Sequence, residues 1–168
     1  KPLDVKNCTF RINRDIRFSK DKTPYKSNMG AYFSKGGKKS VFAGYYFHLE
    51  PGNKSFAGGG LWMPGPQELQ KLRQEVDYCF PEFKNILGRS SFMNHFDGLG
   101  MNKNEMLVNV PKGYDRDNPA SDFLKLKSFV ATRNFPDSFF KVPSFAKEVS
   151  KAFKALMPLI KFMNRALE

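Results

Sequence analysis

The chain has 168 residues, 40% hydrophobic and 15% aromatic with 18 Phe, the size and apolar content of one compact domain rather than of a disordered segment. Lys and Arg outnumber Asp and Glu by 28 to 16, a formal net charge of +12, so the surface attracts anions: nucleotides, nucleic acid, acidic membranes. Two cysteines, Cys8 and Cys79, are too few for a disulfide framework or a Cys-rich zinc site, and no stretch is long and apolar enough to cross a bilayer. Together with the absence of a signal-peptide pattern, this leads to the expectation of a cytoplasmic protein with no membrane partner.

In chain order, Cys8 to Ile12 alternates polar and apolar residues and predicts a strand. Asn13 to Asn28 is charged, lacks a period and contains Pro24, so an irregular loop is expected. Met29 to Phe33 predicts a second strand, and Lys35-Gly36-Gly37-Lys38 a turn, because paired glycines permit positive φ. Val41 to Glu50 is rich in aromatics and predicts a strand; Pro51-Gly52-Asn53 predicts a tight turn, and Ser55 to Met63 the returning strand of an antiparallel meander. Within it, Gly58-Gly59-Gly60 points to a bulge or to close approach by another backbone or a ligand.

The period then becomes helical. Pro66 suits a first helical position, and Leu69, Leu72, Val76 and Phe80 form one apolar stripe. Short helices are expected over Pro81 to Leu87, Ser90 to Phe96 and Pro119 to Leu126, and strands over Met106 to Val110 and Ser128 to Thr132. Ser144 to Ala166 is a closing amphipathic helix that Pro158 should kink. Strands first and helices later indicate a single α+β domain over residues 1–168: a mostly antiparallel meander packed by several helices, including a long C-terminal one.

One segment concentrates chemistry. Between residues 14 and 26 lie five cations (Arg14, Arg17, Lys20, Lys22 and Lys26), two carboxylates (Asp15 and Asp21) and Tyr25. Guanidinium is a planar fork of donors matched to phosphate or carboxylate, and forks three residues apart converge on one anion if a turn follows the strand. Arg14, Arg17, Lys22, Tyr25 and Lys26 are therefore candidate ligand-binding residues, joined by Lys127 and Arg133 if the late strand packs beside the loop. The same residues are also what a structural network needs, with Arg14 and Arg17 pairing Asp15 and Asp21 to hold a long loop together.

Asp15, Asp21 and His48 are the candidate acid–base groups; strict alternation puts His48 on one face with Tyr46, opposite Tyr45 and Phe47. No metal site is expected, because the two histidines lack ligand spacing, and no cofactor, because neither Lys35-Gly36-Gly37-Lys38-Lys39 nor Gly58-Gly59-Gly60 has phosphate-loop or dinucleotide spacing. No nucleophile has a catalytic signature.

The run Phe10-Arg11-Ile12-Asn13-Arg14-Asp15-Ile16-Arg17-Phe18-Ser19-Lys20-Asp21-Lys22-Thr23-Pro24-Tyr25-Lys26 resembles the signature of a bacterial and fungal family of conserved hypothetical proteins, domain of unknown function 2461. The resemblance continues through Gly44 to Pro51, Gly58 to Pro64, Pro111-Lys112-Gly113-Tyr114-Asp115, Leu124 to Val130 and Phe162 to Leu167. It implies no activity. It does imply a longer family member with an N-terminal helical segment ahead of this chain. The sequence expectation is a binding domain for a phosphate-bearing small molecule or nucleic acid; the alternatives are a hydrolase acting on a phosphoester or other anionic substrate and an interaction protein whose loop ion pairs are purely structural.

Overall fold

The structure is a computed structural model and describes residues 4–101 and 103–168. A four-stranded antiparallel sheet has the order β1-β2-β3-β4, with β1 Met29–Ser34, β2 Gly44–Leu49, β3 Ser55–Leu61 and β4 Phe129–Phe135. The helices are α1 Val5–Cys8, α2 Pro66–Tyr78, α3 Phe80–Leu87, α4 Ser90–Met93, α5 Ser121–Leu124 and α6 Phe145–Leu167. The fold is α+β, a meander closed by a late fourth strand, with a long C-terminal helix.

Register assigns the two faces. Phe33, Tyr45, Gly59 and Ala131 align across the sheet, as do Ala31, Phe47, Ala57 and Arg133. This face takes α6, whose Phe153 packs against Phe33 and Tyr45, and the turn ahead of it, Asp137–Lys141, whose Phe140 packs against Phe47. The core lies between, built from Leu72, Val76, Phe83, Phe92, Leu124, Phe129, Leu156, Leu159 and Met163, all at most 1% exposed. The opposite face carries Tyr32, Tyr46, His48, Phe56, Thr132 and Asn134.

The glycine triplet works by close approach, since the β3–β4 register is unbroken from Ser55 to Leu61. A Cβ on Gly59 would lie 3.1 Å from Leu156 Cδ1, so the missing side chain lets α6 settle onto the sheet. Gly60 has φ +137°, and a Cβ there would collide with the Phe129 carbonyl oxygen.

Side chains on α6 clamp the layers. Asn164 acts as a strand edge, accepting from Ala43 N–H at 2.8 Å and donating to Ala43 C=O at 3.3 Å. Arg165 donates to Glu75 of α2 at 2.7 Å and to both Glu82 oxygens of α3 at 3.2 and 2.8 Å. Both residues belong to the closing motif, so part of that motif serves architecture.

Several sequence expectations need correction. Cys8 to Ile12 is not a strand: Asp4 caps a helical turn through Lys6 N–H, Cys8 is buried in it, and only Thr9 bridges Ala31 of β1. The alternation that suggested a strand spans too few paired residues to build a ladder. Met106 to Val110 contributes a single bridge, Met106 to Leu126. The Leu69–Phe80 stripe is divided, because Cys79 leaves helical geometry and caps α2 while Phe80 opens α3. The strand expected over Val41 to Glu50 begins only at Gly44, and α6 continues through Pro158.

Candidate functional site

The basic loop is a clipped hairpin rather than an irregular excursion. Asn13 bridges Tyr25, Arg14 N–H donates to Pro24 C=O at 2.9 Å, and Lys26 N–H donates to Ile12 C=O at 2.9 Å, so the stem is paired on both sides. Arg14 closes the tip. Its guanidinium donates to Asp21 Oδ2, to Thr23 Oγ1 at 2.8 Å and to Ser19 Oγ at 3.5 Å. Asp21 in turn accepts from the Thr23 hydroxyl and from Thr23 N–H at 2.9 Å. These bonds from Thr23 and Arg14 hold the Asp21 carboxyl well below the usual carboxylate range.

Arg17 forms a separate, more exposed pair. Its Nε and Nη2 donate to the two Asp15 oxygens at 2.9 and 2.7 Å, and this fork lowers the Asp15 pKa and raises that of Arg17. The Arg17 side chain is 76% exposed against 30% for Arg14. The two forks thus do not converge: each has its own carboxylate. Lys22 reaches back to Ile16 C=O at 3.0 Å, while Lys20 and Lys26 make no ion pair among the described residues. Phe18 stands 96% exposed at the tip, with the Arg17 guanidinium 5.9 Å from its ring centroid, and Tyr25 is 61% exposed.

Lys127 and Arg133 do not join this loop. The loop runs into β1, whereas Arg133 is on β4, three strand spacings away, about 14 Å. Arg133 pairs in register with Ala57, on the helix-covered face, and lies 5.2 Å from the Phe135 ring centroid. Lys127 precedes β4 at the end of the sheet that pairs with Leu61, diagonally opposite the loop.

A second constellation sits on the open face of β2. His48 Nδ1 is 3.2 Å from Tyr46 Oη, and His48 Nε2 is 2.9 Å from Glu50 Oε2, as alternation along the strand requires. The bond from His48 keeps the Glu50 carboxyl below its ordinary pKa, so Glu50 only accepts. Nε2 therefore carries a proton and donates to Glu50, while Nδ1 is the ring nitrogen that meets the Tyr46 hydroxyl. Phe56 stacks on the imidazole at 4.9 Å. Both ring nitrogens are thereby occupied within the protein.

Asp15, Asp21 and His48 are accordingly engaged by neighbours, and no cluster of three or more His, Cys, Asp or Glu suited to a metal occurs among the described residues. No helix of the described residues is long and apolar enough to cross a membrane. Sequence reasoning passed over Phe18, whose exposure depends on the loop's shape, and Arg73, which in sequence is one charged residue among several on α2 between Lys71 and Glu75. No curated protein and no solved structure matches the chain significantly. A family model does match residues 1–162, which contain the hairpin, the whole sheet and most of α6: the chain belongs to the conserved hypothetical protein family DUF2461.

Proposed function

We propose that this protein is a binding module for phosphate-bearing ligands, with nucleic-acid strands as the ligand class and the 14–26 hairpin as the contact surface. The observation that carries the reading is the division of labour inside the hairpin. Arg14 is spent on holding the tip, while Arg17, Lys20, Lys26, Phe18 and Tyr25 face outward, and Lys22, bonded once to Ile16 C=O, is exposed with its other two N–H donors. The Arg17–Asp15 pair is a surface pair, the kind that contributes little in water, so its fork can turn to a phosphate at small cost. Exposed aromatic rings beside lysines supply the two contacts that single strands use, stacking and charge. The net charge of +12 adds long-range attraction of the right sign.

Hydrolysis is less well supported. A general base needs a free acceptor, and His48, Asp15 and Asp21 spend theirs on Tyr46, Arg17, Arg14 and Thr23.

The test is fluorescence anisotropy with a labelled single-stranded oligonucleotide against wild type, Arg17→Ala and Lys22→Ala/Lys26→Ala. Saturable binding that weakens in both variants is expected. Equal affinity in wild type and the double variant, or no binding to wild type, rejects the reading.

A further inference from the structure

A cleft of about 510 Å³ opens on the outer side of α2, remote in sequence from the basic hairpin. Its size is that of a small-molecule site. One wall is the polar stripe of α2 opposite the core-facing Leu72 and Val76: Gln70, Arg73, Gln74 and Asp77 recur at helical spacing. The other is the turn formed by residues 111–114, closed by Tyr114 N–H donating to Pro111 C=O at 3.3 Å, with Gly113 at φ +97°. The Pro-Lys-Gly-Tyr run of the sequence thus becomes one lip of a cavity.

Arg73 is the unusual group. One arm, Nη2, donates to Leu126 C=O at 2.9 Å. Its Nε is buried and has no hydrogen-bond partner among the described residues. Nor does any Asp or Glu among them form an ion pair with it, in direct contrast with Arg165, which two glutamates hold. Burial pulls the Arg73 pKa below the usual arginine range, and the Tyr114 phenol is the group whose field opposes that. Guanidinium nevertheless stays charged. A half-buried cation without a counter-ion is costly, and an anion in the cleft would meet it through the part of the guanidinium that lines the wall, since Nε itself is closed off.

We propose that the cleft binds a small molecule bearing an oxyanion, carboxylate or phosphate, whose oxygens pair with Arg73. Lys112 adds a second positive charge on the lip. Asp77, one turn along α2 from Arg73, accepts from Asn118 Nδ2 through Oδ1, and Oδ2 takes a hydroxyl or amino group of the same ligand. Gln70 and Gln74 flank the pair and accept or donate as the ligand requires. The mixed charge of Arg73, Lys112 and Asp77 selects a compact polar molecule over a polyphosphate strand, which Asp77 would repel. The cleft shares no residue with the basic hairpin, so the two sites fail or succeed separately.

The experiment is an amide NMR titration of wild type with inorganic phosphate and, in a second arm, with succinate, at constant ionic strength. Saturable shifts at Gln70, Arg73, Gln74, Gly113 and Tyr114 in at least one arm are expected, and the arm that responds identifies the oxyanion. Arg73→Gln should weaken that response about tenfold or more, the worth of a charge-assisted hydrogen bond, while Lys22→Ala/Lys26→Ala leaves it unchanged. No saturable shift at these residues in either arm overturns the proposal, as does equal affinity in Arg73→Gln. Should Arg73→Gln fail to fold, the wild-type map decides alone.

Discussion

Arg14 and Arg17 illustrate how burial separates the roles of identical side chains. Arg14 meets Asp21, Thr23 and Ser19 at 30% exposure, while Arg17 meets Asp15 alone at 76%. Arg14→Ala should therefore loosen the tip without unfolding the domain: amide exchange at Thr23 and Lys26 accelerates while the melting temperature changes little. Unchanged exchange would remove Arg14 from its role as a clip. The pH dependence has a definite sign. The Asp21 pKa is depressed from its ordinary value of 3.8, so the clip is in place above that value and is lost as pH falls through the folded one. The Thr23 amide resonance should hold its position from neutrality down to about pH 4 and move only in stronger acid, and Asp21→Asn should abolish that movement. His95 makes a contrasting case, since neither ring nitrogen has a hydrogen-bond partner among the described residues and burial lowers its pKa. An unsatisfied buried polar group costs about 1–3 kcal/mol, so His95→Phe should raise the melting temperature. A lower one would mean that the imidazole has a partner after all.

At the level of elements, what was legible in the sequence followed chemistry that acts locally. Pro66 opens α2, Gly36 and Gly37 turn with φ +88° and +85°, and the Phe145–Leu167 stripe becomes α6. What was not legible depended on partners distant in the chain. The Cys8 to Ile12 alternation looked like a strand, but β1 gives it one bridge at Thr9. Gly59 could be recognised as a place of close approach, but not that Leu156, nearly a hundred residues later, is what approaches. The hairpin's composition was equally visible, yet whether its two forks meet on one anion depends on the path of the backbone, which gives each its own carboxylate. The Gly59–Leu156 contact gives an element-scale prediction: Leu156 is fully buried, so Leu156→Ala should cost about 2–5 kcal/mol in chemical denaturation. A cost under about 1 kcal/mol would show that α6 is not seated on the sheet as described.

Over the whole molecule, the long helix and the basic hairpin sit at different places on the sheet. α6 and its neighbours cover one face of the sheet, the Tyr46–His48–Glu50 chain sits on the other, and the basic hairpin leads into the β1 edge. Arg133 and Lys127 are kept away from that edge by the sheet order itself, so the binding surface proposed above is the hairpin alone and not a belt around the domain. Electrostatic attraction by the +12 charge would be diffuse, whereas binding at the hairpin depends on named lysines. Salt separates the two. The most direct measurement is the slope of log affinity against log salt for a single-stranded oligonucleotide, in wild type and in Lys22→Ala/Lys26→Ala. Hairpin binding predicts a slope shallower by about 1.4 in the double variant, two phosphate contacts at about 0.7 each. Identical slopes and affinities would contradict it.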